Sequence, residues 1–325
     1  MSQKPEVVRP VKLPILRNPF NRSAIVGFDR DYLIDETGNR FPVINSIPRF
    51  IESNYAGSFG FQWNLFRRTQ IDKFNGTSIS KTRFFKDTGW SEEDLKGKRI
   101  LEVGCGAGRF TEIMLEVGAE VHSVDMSNAV DANFSNNGPN SGLNLYQANL
   151  YALPFENECF DKIFCFGVLQ HTPNPREAFN SMIPFLKRGG EIAVDVYPLT
   201  WRTYLWPKYW IRPITKRIDR ELLLILIQKI IPVWLPISTI LQKIPVAGFY
   251  LSQLIPHANY TKRFPELSRA QTIEWAILDT FDMLSPAFDK PQRMEDLAKW
   301  FKEEDLDILN CGRGDNGLVA VGRKR

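Results

Sequence analysis

Residues 99–127 read RILEVGCGAGRFTEIMLEVGAEVHSVDMS. An apolar strand beginning at Arg99 runs into glycines at 104, 106 and 108. Phe110, Ile113, Met114 and Val117 then recur at helical spacing, and a second apolar stretch stops on Asp125. Strand, glycine turn, helix and strand in this order make a nucleotide-handling unit. Glycine lets the backbone come close to a ligand, and the helix N-terminus offers amide donors to a negative group. A carboxylate about 20 residues beyond the turn can accept both hydroxyls of a ribose, and Asp125 stands there.

The same alternation continues outward. LNLYQAN (143–149), CFDKIFCFGVL (159–169) and EIAVDVY (191–197) read as strands, and NPREAFNSMIPFL (174–186) as a helix ended by Lys187-Arg188-Gly189-Gly190. RMEDLAKWFKEEDL (293–306) is an amphipathic helix, followed by strands DILNCGR and GLVAVGRK joined antiparallel through a tight Gly312–Gly317 turn. Such spacing calls for a parallel sheet with helices on both faces. The expected fold is α/β, Rossmann-like and doubly wound. Its sheet is mostly parallel and seven-stranded with an antiparallel last strand, joined by a small N-terminal β module and a helical insertion or lid.

Spacing narrows the nucleotide. No G-K-[ST] follows the glycines, which excludes a P-loop. The third glycine of G-x-G-x-x-G falls on Arg109, where a pyrophosphate would need close backbone approach. That disfavours NAD and favours S-adenosylmethionine, which has no phosphates. An NAD-dependent oxidoreductase and a non-catalytic protein that merely binds the cofactor stay open as alternatives.

LEVGCGAGRFTEIMLEVGAEVHSVDMS, ANLYALPFENECFDKIFCFGVLQHTPNP and LKRGGEIAVDV resemble the successive motifs of class I S-adenosylmethionine-dependent methyltransferases, including the type 11-like subgroup with its L-P-F, F-D and V-L-x-H segments. The resemblance is close over 98–197 and holds in outline for the last helix and strands. It implies that Gly104, Gly106 and Gly108, with Cys105 in the same turn, cradle the methionine end of the cofactor. It also implies that Asp125 holds the ribose and Met126 packs on the adenine. Asn149 stands where many relatives have an aspartate accepting from the adenine amino group, and an amide oxygen can accept the same bond. Leu150 would offer its backbone N–H to the ring, and Phe166 and Gly167 would lie beside the transferred methyl. GNRFPVINSIPRFI (38–51) resembles the end of a small zinc-ribbon-like module, here without cysteines, so no metal is expected. YAGSFGFQWNLF (55–66) and DTFDMLSPAFDKPQ (279–292) resemble flanking motifs of methyltransferases encountered with surface-polysaccharide or secondary-metabolite genes.

Methyl transfer to a hydroxyl requires alignment and a base. His171, in VLQH at the carboxyl end of its strand, suits the base, or braces the loop by hydrogen bonding. Asp279, Asp282 and Asp289 either cap helices or meet a polar acceptor, and Asp282 is the candidate taken with His171. His257 and Tyr260 are weaker candidates of the same kind. Gln62 and Trp63 either close over the cofactor or pack as core. Arg109 either meets the cofactor carboxylate or pairs with a neighbouring acid. A nucleophilic role for Cys105 has nothing nearby to lower its pKa.

The 325 residues, 43% hydrophobic and 24% charged, suit a globular chain of one large domain with additions. A net charge of +4 with dispersed Lys and Arg shows no nucleic-acid footprint. Cys105, Cys159, Cys165 and Cys311 have neither C-x-x-C nor metal-ligand spacing, which fits a reducing, cytoplasmic setting. The N-terminus lacks the apolar core of a signal peptide. The expected organisation is a tail and β module (1–54, with 1–20 mobile), a helical cofactor-covering segment (55–97), the core (98–199), a helical insertion or substrate lid (200–290) and closing elements (291–325). Within 200–256, apolar runs such as 222–227 read as too short for a bilayer, interrupted by Lys229, Pro232, Pro236 and Lys243. That Trp-rich, basic segment either packs as a lid or touches a membrane or lipid-linked substrate. The expected acceptor is a small molecule, or a glycan or lipid precursor, and oligomeric state is not legible.

Overall fold

A computed structural model describes residues 15–51, 56–245 and 247–325. The strands are β1 (Ile25–Asp29), β2 (Tyr32–Asp35), β3 (Arg40–Ile44), β4 (Ile47–Phe50), β5 (Arg99–Val103), β6 (Glu120–Asp125), β7 (Leu143–Ala148), β8 (Phe160–Cys165), β9 (Leu186–Val196), β10 (Leu306–Gly314) and β11 (Gly317–Lys324). They form one sheet in the order β1-β2-β3-β4-β7-β6-β5-β8-β9-β11-β10. The central strands β7, β6, β5, β8 and β9 pair in parallel, and β11 lies antiparallel between β9 and β10. This is the doubly wound arrangement read from the motifs, with the switch point beside β5, where ligands bind in open α/β sheets.

The sheet has eleven strands among the described residues rather than seven. The excess comes from the N-terminal module, an antiparallel meander β1–β4. Its last strand adds to β7 in parallel, with Arg49 opposite Gln147 and Phe50 opposite Ala148. The segment that resembles a zinc-ribbon end is therefore an extension of the core sheet. Asp35 anchors it: the buried carboxylate accepts from Asn18, Ser23 and Asn39, which holds its pKa well below the usual carboxylate range. Residues 15–20 do not behave as a tail, because Leu16 is fully buried and bridges Phe155. The remainder of the expected tail, 1–14, lies outside the described residues, as does Tyr55.

Alternation along the strands separates two apolar faces. Leu101, Ile163 and Cys165 pack with Phe179 and Phe301, whereas Ile100 and Phe164 pack with Phe84, Ile113 and Met114. The helix over 174–186 is shorter than its pattern implies. It spans Pro175–Asn180, and Lys187–Gly190 already belongs to β9.

The insertion contains α-helices Pro207–Thr215, Arg220–Leu241, Ala247–Gln253 and Arg269–Leu284, labelled α1 to α4 in that order. α2 is continuous for 22 residues, with Pro232 and Pro236 inside it, so the prolines do not divide it into hairpins. By length and composition it is long enough and apolar enough to cross a membrane, contrary to the reading of short broken runs. Its Leu223, Leu224, Ile227, Ile231 and Leu235 are buried in one cluster with Ala276, Leu278 and Phe281 of α4. α4 starts at a capping box of Ser268 and Gln271, which satisfies two orphan amides and sets the helix phase. That phase directs Trp275, Asp279 and Asp282, at spacings of four and three, towards the core.

Candidate active site

A cavity of about 810 Å³ lies between the carboxyl ends of the parallel strands and the insertion. Its floor is the turn of Gly104 and Gly106, whereas Gly108 lies outside the lining, against Asn133 and Asn137. Gly104 and Gly108 have φ of 75° and 89°. A Cβ on Gly104 would stand 2.1 Å from Val168 Cγ2, and one on Gly108 would stand 2.2 Å from Asn137 Nδ2. Side chains are excluded by conformation and by space at once. Gly106 N–H donates to Asp125 Oδ2 at 3.0 Å, while Asp125 Oδ1 accepts from Ser127 N–H at 2.8 Å and Ser127 Oγ at 2.7 Å. The carboxylate is thereby fixed to the turn, and burial raises its pKa above the ordinary value.

Cys105, Met126, Leu150, Phe166 and Gly167 line the cavity, with Ala148 beside them. Burial, with Asp125 and Glu102 nearby, pushes the Cys105 thiol well up, which is the opposite of nucleophile activation. The Phe166 ring lies tilted against Phe164, with centroids 4.4 Å apart, and meets Phe110 edge-on. Asn149 lies at the end of β7 but is not among the lining residues. Its Oδ1 accepts from Tyr151 N–H at 3.1 Å.

Trp63 and Gln62, on the helix Gly57–Leu65, have separate placements. The Trp63 indole covers the glycine turn, 3.3 Å from where a Cβ of Gly106 would be. Gln62 is fully buried behind the cavity wall, donating from Nε2 to Asp282 Oδ1 at 2.9 Å. Arg109 lines the cavity and is held by neutral partners, Ser80 Oγ and Gln70 Oε1, each at 2.8 Å. Its guanidinium lies 5.2 Å from the Phe110 ring and 5.6 Å from Trp275, and burial lowers its pKa to about 10.

Opposite the turn, His171, Asp282 and Tyr197 converge. His171 Nδ1 is 3.1 Å from the carbonyl oxygen of Phe288, and its Nε2 is 4.0 Å from Asp282 Oδ2. A carbonyl only accepts, so the neutral ring carries its proton on Nδ1 and keeps the Nε2 lone pair. Tyr197 OH reaches Asp282 Oδ2 at 3.5 Å, and burial together with these acids keeps the phenol protonated. Asp279 is a separate centre. It accepts from Gln70 at 2.8 Å, from Tyr260 and from Trp275, and burial raises it to about 6. Asp289 is withdrawn from the cavity as the partner of buried Lys208, at 2.6 Å. His257 bonds Ser238 at 2.9 Å and packs on Trp234, away from the site.

Several site residues were not legible in the sequence. Lys208 lines the cavity with Nζ 4.7 Å from the Tyr197 ring, 5.1 Å from Tyr209 and 5.3 Å from Trp206. The aromatic cluster WPKYW (206–210) was its one available signal. Arg83, which also lines the cavity, ion-pairs with Asp195 at 2.5 Å. Asp195 in turn accepts from Gly167 N–H, so the pair braces the loop after β8.

Strand order and glycine turn together define a nucleotide-type site at the switch point of a doubly wound sheet. Residues 101–194 match the family described as "Methyltransferase domain". The chain is 32% identical over 114 residues to a ubiquinone biosynthesis O-methyltransferase of Coxiella burnetii, covering 34% of this chain and 49% of that one. It is 30% identical over 122 residues to the Pseudomonas fluorescens protein of the same name, covering 36% and 53%. The chain thus spans about half the length of the curated relatives it matches. Among solved structures, magnesium protoporphyrin IX methyltransferase from Synechocystis PCC 6803, with bound SAH, aligns over 83% of this chain and 97% of its own. The identity is 14% and the TM-score 0.46.

Residues 101–194 thus carry a methyltransferase domain, for which the resemblance of the motifs implies S-adenosylmethionine as the cofactor. The residues present fit that cofactor. Gly104 and Gly106 line the cavity, Asp125 offers buried carboxylate oxygens, and the Met126, Ala148 and Leu150 wall is apolar enough for a base.

Proposed function

We propose that the chain methylates a hydroxyl of a small molecule, or of a glycan or lipid precursor, using S-adenosylmethionine. The carrying observation is the His171 Nε2 lone pair on the cavity wall, with Nδ1 held by Phe288 and Asp282 close by. The names of the two curated relatives, both O-methyltransferases, support oxygen as the acceptor atom.

Asp125 would hold the ribose and Met126 would pack against the adenine, while Arg109 would meet the carboxylate of the methionine end. When bound, the cofactor supplies an electrophilic methyl group on sulfur. His171 Nε2 takes the acceptor proton as oxygen becomes the nucleophile, and Asp282 steadies the imidazolium that results. At about 4 Å and an effective dielectric near 20, such a pair is worth at most about 4 kcal/mol. Gln62 and Tyr197 hold Asp282 in place from either side. The aromatic rings of Phe166 and Trp63 exclude water around the reacting groups.

Calorimetry with S-adenosylhomocysteine and with NAD tests the cofactor half of this reading, and binding of NAD alone would refute it. Transfer of labelled methyl, slowed by about 10²- to 10⁴-fold in His171→Ala with cofactor affinity retained, tests the catalytic half. A variant as active as the parent would leave a bracing role for His171.

A further inference from the structure

The cavity opens through an exposed apolar rim. Trp201, Leu205, Tyr250 and Leu254 line it and are nevertheless 67%, 56%, 54% and 60% exposed. Arg202 stands among them, its guanidinium 5.5 Å from the Trp201 ring and 5.6 Å from Tyr250. The rim joins α2 through α3, which packs on it and carries Tyr250.

α2 is apolar on two faces, and among the described residues only one of them is packed. While the first face packs on α4, Leu222, Leu226, Val233, Ile237 and Ile240 form a second stripe at helical spacing, all exposed. Exposed Lys216, Arg217 and Arg220 stand at one end of the stripe, Lys229 within it and Lys243 at the other end. Across 201–254, eight lysines and arginines stand against only Asp219 and Glu221.

An apolar stripe with bases at both ends, and Trp, Tyr and Arg at its margin, suits the headgroup region of an anionic bilayer. Lys229, midway along α2, opposes a transmembrane course, and so does the buried face that ties α2 to the catalytic helix α4.

Building on the proposed function, we infer that the 201–254 segment docks in the plane of an anionic membrane. The methyl acceptor is a membrane lipid whose head enters the cavity past Trp201 and Tyr250. The transfer keeps the balance already given: the acceptor O–H proton goes to His171 Nε2, the new bond is O–CH3, and the bond from methyl to sulfur breaks.

The test uses the full chain with vesicles of phosphatidylcholine alone and of phosphatidylcholine mixed with phosphatidylglycerol. The parent should sediment with the anionic vesicles and be released by salt. The double variant Lys216→Glu/Arg217→Glu should lose at least about thirtyfold in binding, at about fivefold for each cation removed. The triple variant Val233→Ser/Ile237→Ser/Ile240→Ser, all at exposed positions, should lose binding while keeping its melting temperature and its affinity for S-adenosylhomocysteine.

Failure of the parent to bind anionic vesicles would overturn the inference, as would equal binding by both variants. So would a parent dimer, seen by sedimentation velocity, that the triple variant dissolves. Labelled methyl should enter the chloroform-soluble fraction of a membrane extract, and label confined to the aqueous fraction would also overturn it. Failure to bind S-adenosylhomocysteine would instead remove the methyltransferase reading on which the inference rests.

Discussion

Asp125→Asn separates ligand binding from folding. The carboxylate accepts from Gly106 N–H at 3.0 Å through one oxygen, and from Ser127 N–H and Oγ at 2.8 and 2.7 Å through the other. An amide has a single acceptor oxygen, so one of these backbone donors must face Nδ2. An unsatisfied buried donor costs about 1–3 kcal/mol. Against this, the amide no longer carries a charge whose burial raises the native pKa. For a chain of this length the unfolding entropy is about 0.7 kcal/mol/K, so each kcal/mol moves Tm by about 1.5 °C. The fold should therefore survive, with Tm lower by no more than about 5 °C.

Ligand affinity should fall far more. The amide oxygen is consumed inside the protein, and Nδ2 cannot accept from ribose. Two charge-assisted bonds at about 1.5–3 kcal/mol each are lost and partly replaced by water, a loss of about 10²- to 10³-fold. Calorimetry with S-adenosylhomocysteine alongside a thermal melt reads both quantities. Affinity within threefold of the parent would refute the assignment of Asp125 to the ribose.

Three further outcomes follow from the same geometry. His171→Ala should lower kcat by about 10²- to 10⁴-fold with S-adenosylhomocysteine affinity unchanged, and Asp282→Asn should do the same more mildly; steady-state kinetics with labelled methyl donor checks both. Gly104→Ala should destabilise by about 1–2 kcal/mol from its left-handed backbone alone, and displacement of Val168 adds to this, as urea unfolding would read. Glu102 is buried, accepts from Thr111 and Ser123, and is raised to about 7 from an ordinary 4.5. The native state therefore holds its proton more tightly than the unfolded chain. Its contribution is present below the ordinary value and is lost as pH rises through about 7. Glu102→Gln should flatten that fall in denaturant titrations, and an unchanged slope would exclude Glu102 as its source.

Local chemistry made the core legible. A glycine turn after an apolar strand needs only neighbouring residues to be recognised, and its reach to Asp125 is set by one helix and one strand. Residues that act through packing gave no such signal. Lys208 and Asp289 are 81 positions apart yet form a buried pair, and Gln62 meets Asp282 across 220 positions. The prolines of α2 suggested breaks, but burial of its inner face against α4 keeps the helix continuous through them. Asn149 kept its place at the end of β7, while the turn it enters directs its oxygen to Tyr151.

The sequence by itself determined the strand–turn–helix–strand unit and the acid at the end of β6, and with them a nucleotide-type site. Those depend on residue types at short fixed spacings, where backbone geometry dictates the outcome. Only the tertiary structure decided that the N-terminal meander extends the core sheet, that His171 meets Asp282, and that the apolar stripe of α2 stands exposed near the cavity rim. Those relations join residues separated by many tens of positions, and side-chain burial across separate elements brings them together.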